Sequence, residues 1–197
     1  MPVRGGVKIG MLQDNSRSSP DWKAQLSWSS EVFDRLVRPE ASRLLGGQFE
    51  IVEAVTATGV AKTLDVLSGV DLWLVRDGQG VRAVASRVQK TFKSWRTFTI
   101  RKARDSGAAT EYEKRKHAFE HEYLYPHLTL QAYVNQQADQ LLGFAAMRTR
   151  SLWAMIEAGQ CTVNRTGANQ NGQASFYVVR WDDVGPAGYT LIEFTPA

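Results

Sequence analysis

Val70-Asp71-Leu72-Trp73-Leu74-Val75 runs into Arg76-Asp77-Gly78-Gln79-Gly80 and on into Val81-Arg82-Ala83-Val84-Ala85-Ser86-Arg87-Val88-Gln89. The first run is apolar after an acidic start, and the second starts apolar and ends basic and polar. Asp77-Gly78 between two such runs is a strong hairpin signal, because the tight turn needs residues that accept positive φ. Pairing about Gly78-Gln79 sets Asp71 opposite Ser86, beside Ala85 and Arg87. A carboxylate at the start of one strand then meets a guanidinium near the end of its neighbour. The hairpin is either a buried one whose Asp71 caps a turn or the centre of a nucleic-acid site.

Charge favours the second reading. Arg87, Lys90, Lys93, Arg96, Arg101, Lys102 and Arg104 lie in one stretch without an acid. These seven belong to a total of 24 basic against 20 acidic residues, so the rest of the chain is net acidic. A local cationic stripe suits a polyanion better than it suits general solubility. Within it, Lys90-Thr91-Phe92-Lys93-Ser94-Trp95-Arg96 interleaves rings with cations, a pattern that neutralises phosphates and stacks on bases. Asn169, Gln170, Asn171 and Gln173 form a polar loop whose amides are of the kind that read base edges.

The 197 residues suffice for one sizeable domain, and six Trp, eight Phe and six Tyr supply a core. No run is long and apolar enough to span a bilayer, and residues 1–10 carry no signal-peptide pattern. A lone cysteine, Cys161, excludes an internal disulfide and any cysteine metal cluster, so a reducing, cytoplasmic compartment is expected.

Residues 1–26 read as an irregular arm, with a short edge strand over 7–12, and residues 27–197 as one α/β domain closed by C-terminal strands in 160–197. Ser27 to Ser30 offer hydroxyl caps for a helix from about Glu31, with Val32, Phe33, Leu36 and Val37 on its apolar face and Pro39 as a kink or restart. Phe49 to Val55 predicts a strand, and 61–67 a short helix or turn before the hairpin. Beyond the hairpin, 97–101 alternates as a third strand of the same sheet. Thr110-x-x-Glu113 is a capping box for a helix whose Tyr112, Lys116, Phe119 and Tyr123 share a face. Alternation predicts a strand over 128–134, composition a helix over 138–147, and Ser151 a cap for a helix over 152–158. Cys161-Thr162-Val163, Ser175 to Trp181 and Tyr189 to Phe194 predict short closing strands.

In this order of elements, Gly69-Val70-Asp71, the Asp-Gly turn and Ala85-Ser86-Arg87 resemble the PD-(D/E)XK nuclease superfamily of restriction endonucleases and Holliday junction resolvases. The resemblance covers roughly Glu31 to Tyr133. It implies a central mixed β-sheet flanked by helices, a metal-dependent DNA endonuclease that hydrolyses phosphodiester bonds, Mg²⁺ or Mn²⁺ as cofactor, and DNA as partner, with a homodimer compatible. In that family an acid before the turn and an acid-x-Lys after it hold a divalent cation, which activates water and stabilises the pentavalent phosphate. Carried over, Asp71 matches the aspartate and Glu31 the glutamate of the preceding helix. Arg87 stands at the lysine, and Ala85 stands where the second acid belongs. Arg87 stays charged and cannot act as a base, though it can hold phosphate. Gln89, on the same strand face, is a substitute oxygen ligand, and Glu53 or Asp65 a substitute carboxylate. The expected catalytic set is Asp71, Arg87 and Gln89; the metal set is Asp71, Glu31 and Glu53. Lys90, Lys93, Trp95, Arg96, Arg101, Lys102 and Arg104 form the nucleic-acid face. With Ala85 in place of the acid, a catalytically inactive DNA-binding or regulatory protein on the same fold is the alternative.

His117 and His121 lie at i, i+4 and His127 follows, but no His-Glu-x-x-His motif joins them, so solvated helix histidines are expected. Cys161 has no neighbouring histidine signature that would make it a nucleophile. Glycine-rich nucleotide loops and the Gly-x-Ser-x-Gly elbow are absent from the sequence.

Overall fold

A computed structural model describes residues 27–51, 69–104, 109–165 and 174–196. Glu53, Asp65, the proposed N-terminal edge strand, the 61–67 helix or turn and the amide-rich loop at 169–173 lie outside them.

Residues 27–45 are helical throughout. A π-helical turn occupies Phe33–Val37, and α1 (Arg38–Leu45) follows with Pro39 in its first turn. Proline lacks an N–H, and its ring crowds the carbonyl four residues back, so a regular α-helix cannot pass through it unchanged. The wider turn accommodates this: the Arg38 amide reaches back five residues to the Phe33 carbonyl. Gly46, at φ 66°, ends α1 in the left-handed conformation that glycine adopts without penalty.

Among the described residues nine strands follow in two sheets. β1 (Gln48–Ile51), β2 (Leu72–Arg76), β3 (Gly80–Lys90), β5 (Leu128–Val134), β6 (Leu141–Arg148) and β9 (Ile192–Phe194) form the larger, in the order β1-β2-β3-β5-β6-β9. Its neighbours are antiparallel except β3 and β5, which are parallel. Parallel neighbours need a long crossover. Here it runs through β4 (Thr97–Arg104) and helix α2 (Glu111–Glu120). β4, β8 (Ala174–Arg180) and β7 (Thr162–Arg165) make the smaller sheet, in the order β4-β8-β7. Helix α3 (Thr149–Glu157) directly follows β6. Among the described residues the molecule is therefore α/β, with a mixed six-stranded sheet, a second three-stranded sheet and helices α1 to α3.

The large sheet has two different faces. Leu72, Leu74, Val84, Val88, Leu128, Leu130, Ala132 and Val134 join Val32, Phe33, Val37, Ala41 and Leu45 of the N-terminal helical segment in an apolar core. On the opposite face Tyr133, Ala145 and Met147 meet Phe98 and Ile100 of β4, Leu152 and Met155 of α3, and Trp181.

Three expectations need correction. Residues 141–148 form strand β6 instead of continuing a helix from 138. Leu, Ala and Met favour helix intrinsically, but β6 lies between β5 and β9 and is buried from Gly143 to Met147. Small Gly143, Ala145 and Ala146 fit that layer. Secondly, 97–101 belongs to the smaller sheet, since alternation reveals a strand but not its partner. Thirdly, the hairpin register is one residue off. Arg76 pairs with Gly80 and Leu72 with Val84, leaving a three-residue loop and bringing Asp71 opposite Ala85. The capping-box helix, the 128–134 strand and the closing strands form within a few residues of their expected bounds.

Candidate functional site

The corrected register aligns the hairpin's chemistry on one face. With Asp71 opposite Ala85, strand alternation puts Asp71, Ala85, Arg87 and Gln89 on the face turned away from the N-terminal helix. Parallel pairing adds Thr129 beside Ala85, Gln131 beside Arg87 and Tyr133 beside Gln89. A polar row thus crosses the middle of an otherwise apolar sheet.

One half of this row is closed by hydrogen bonds to the smaller sheet. Gln131 donates from Nε2 to Gln89 Oε1 at 2.8 Å and accepts from Thr99 Oγ1 at 3.1 Å. Tyr133 donates to the Thr97 carbonyl at 2.8 Å. The Gln89 amide oxygen is therefore already engaged, and Gln89 does not line the cavity next to it.

The other half borders a cavity of about 180 Å³. Asp71, Ala85, Ser86 and Arg87 form one wall. β4 contributes Arg101, and α2 contributes Glu111, Lys114 and Arg115. The Ser86 amide donates to Asp71 Oδ2 at 2.8 Å, which fixes the carboxylate against β3. Gly69, at φ 63°, turns the chain into Asp71; a Cβ there would lie 3.0 Å from Arg115 Nε. The positive φ favours glycine here, and the Arg115 side chain would have to shift to admit a Cβ.

Four cations and two carboxylates share this space, so its net charge is positive. Arg87 and Arg101 both lie over the Phe176 ring, at 5.1 and 5.5 Å from its centroid. Arg101 pairs with Glu111 at 3.2 Å. Burial pushes the Arg87 guanidinium pKa down, Arg101 and Arg115 push it further, and Glu111 opposes them. Arg115 is only 7 % exposed, and its Nε has no hydrogen-bond partner. Such an arrangement disfavours an empty cationic cavity and favours an anion inside it.

Of the sequence-derived site residues, Asp71, Arg87 and Arg101 meet in the cavity. Glu31 is exposed on the helical segment that packs on the far face of the sheet, and it does not line the cavity. Lys90 and Lys93 are exposed at the far end of β3 and in the loop beyond it. Trp95 is 62 % exposed in that loop. Arg96 is engaged by Asp182, at 2.9 Å, and by Glu193. Lys102 lies over the Tyr177 ring at 5.3 Å. Nothing is described of the Arg104 side chain.

Glu111, Lys114 and Arg115 were not among the expected site residues. Their signal was available: positions i, i+3 and i+4 after a capping box share one helix face. His117 and His121 are exposed, with ring centroids 4.0 Å apart. Among the described residues no group of three or more His, Cys, Asp or Glu is arranged to hold a metal ion. No helix among them is long and apolar enough to cross a membrane.

No protein-family model matches the chain, and no curated protein and no solved structure matches it.

Proposed function

We propose that the cavity is the phosphodiester site of a restriction endonuclease-like, metal-dependent DNA-cleaving protein. The observation that carries this is the meeting of Asp71 and Arg87 in one cationic cavity. The surrounding order supports it: a helix, three antiparallel strands, a crossover helix and a strand parallel to the third.

The carboxylate missing at Ala85 has a replacement from another element. Glu111 opens α2 and lines the same cavity as Asp71. Mg²⁺ commonly uses one or two protein carboxylates together with substrate phosphate, so Asp71 and Glu111 are the cavity residues that would hold it. A divalent cation held there would supply an activated water and neutralise charge developing on the phosphate. The chain's own groups do the rest. Arg87 and Arg101 orient the phosphate with planar donor forks, while the Phe176 ring holds both guanidiniums in place. Arg115 supplies a donor from the helix side. The Ser86 amide keeps Asp71 aimed across the hairpin.

Ala85 favours a second reading, in which the same cavity holds DNA phosphate without cutting it. Plasmid, branched and single-stranded DNA incubated with Mg²⁺ or Mn²⁺ separates the two. Cleavage by the wild type, lost in D71N and in E111Q, is the expected result. Salt-sensitive binding without cleavage would establish the second reading. Absence of both binding and cleavage would remove the two together.

A further inference from the structure

The loop between β3 and β4 exposes two aromatic rings yet is tightly built. Phe92 is 91 % exposed and Trp95 62 %. A mobile loop can expose rings incidentally, but this one is fixed at both ends. Thr91 is buried; its amide bonds to the Val134 carbonyl at 2.9 Å, and its hydroxyl accepts the Trp95 indole N–H. At the other end, Arg96 adopts φ 51°, takes the Trp181 amide on its carbonyl at 2.8 Å, and is clamped by Asp182 and Glu193. The indole is thus oriented before any partner arrives, which lowers the entropy lost on binding.

The charge around these rings selects the partner. Lys93 Nζ stands 5.8 Å from the Trp95 ring centroid, and Lys90 Nζ 4.7 Å from that of Trp28. The nearby acids Asp182 and Glu193 are matched by Arg96. The loop thus presents two exposed rings, with the Lys93 ammonium beside Trp95 and the exposed Lys90 at the loop's start, the combination that stacks bases and neutralises a backbone. Bases inside a duplex are stacked on one another, and their faces reach such rings only where the strand is open.

We infer that Phe92 and Trp95 are a stacking platform for unpaired bases, so that the substrate class is single-stranded nucleic acid or the single-stranded part of a branched one. This rests on the phosphate-binding reading of the cavity only for the direction of the strand, which runs from the platform towards Arg87.

Fluorescence anisotropy with a labelled twelve-nucleotide oligothymidylate, and with a twelve-base-pair duplex, tests this in F92A and R115M. Phe92 is almost wholly in solvent, so its removal leaves the fold intact. The expected result is single-strand affinity reduced roughly 10-fold by F92A, within the range for one lost stacking contact, with little change on the duplex. Wild-type binding no tighter to the single strand than to the duplex would overturn the platform, as would single-strand affinity unchanged by F92A. R115M probes the cavity separately. A loss in F92A with none in R115M leaves the platform standing and removes the cavity reading, while the reverse removes the platform alone.

Discussion

A guanidinium shut inside a protein usually commits its five donors to fixed partners. Arg115 instead keeps an unpartnered Nε while lining a cavity with Arg87, Arg101 and Lys114. Gathering like charges in a partly dry space costs stability, and sites that do so commonly serve a ligand. Replacing Arg115 by methionine keeps most of its volume and removes one charge. The expected outcome is a gain of about 1–3 kcal/mol in urea unfolding; inorganic phosphate should raise the Tm of the wild type, and R115M should largely lose that rise. A destabilised R115M protein that still responds to phosphate would make Arg115 a packing residue. Ala85 belongs to the same scale. An A85D substitution adds a carboxylate opposite Asp71, and it should tighten Mn²⁺ binding at least 10-fold by calorimetry; unchanged affinity would argue that no cation site lies between these strands.

Helix α2 brings half of the charged groups into the cavity, and its start is set by a reciprocal cap. The Thr110 hydroxyl accepts from the Glu113 amide at 3.3 Å, and the Glu113 carboxylate accepts from the Thr110 amide at 2.8 Å. Thr110 is buried, so T110A strands the Glu113 amide and removes the hydroxyl's own bond to the Glu113 carboxylate. It should lower unfolding free energy by about 1–2 kcal/mol, and weaken phosphate binding more than an equally destabilising change elsewhere. Equal effects would mean that the cap acts on stability alone. This helix was legible from four letters of sequence, since Thr110-x-x-Glu113 has a local mechanism. β6 was not legible. Leu141 to Met147 contains no β-branched residue, and only the neighbours on either side make it a strand. The face of α2 that carries Glu111, Lys114 and Arg115 is marked by their i, i+3, i+4 spacing, but spacing alone does not say which sheet surface that face meets. The hairpin was found from Asp77-Gly78, but its register depends on whether two or three residues sit in the loop, and both are common.

At the scale of the molecule, the cavity exists because two sheets meet around it. Arg96 joins them: it stands at the entry to β4 of the smaller sheet and pairs with Glu193 of β9 in the larger one and with Asp182 just after β8. The hydrogen bond from Arg96, and then that from Arg180, hold the Asp182 carboxyl below its ordinary value of 3.8. A carboxylate lowered by folding contributes stability that is present above its unfolded value and is lost as pH falls through its folded one. The junction should therefore stay intact at neutral pH and loosen only below about pH 4. In an NMR titration, R96M should raise the Asp182 midpoint towards 3.8, and an unshifted midpoint would refute the assignment. Single residues such as Asp71 and Arg87 could be picked out from sequence, but the second sheet that roofs them could not. Its strands come from distant stretches, and nothing in a local pattern specifies that they cross over the first.

The broad helical turn over Phe33–Val37 has a consequence for angular phase. It absorbs one residue beyond an ordinary turn, about 100° of rotation at 3.6 residues per turn. Trp28, Val32 and Phe33 lie on the far side of that offset from α1, yet all three still pack on the sheet. Exchanging Pro39 for alanine, favourable at most helix positions, would here remove the reason for the extra residue. A helix relaxed to uniform pitch would swing its first turns out of alignment and carry the Trp28 indole away from the Lys90 ammonium it now meets.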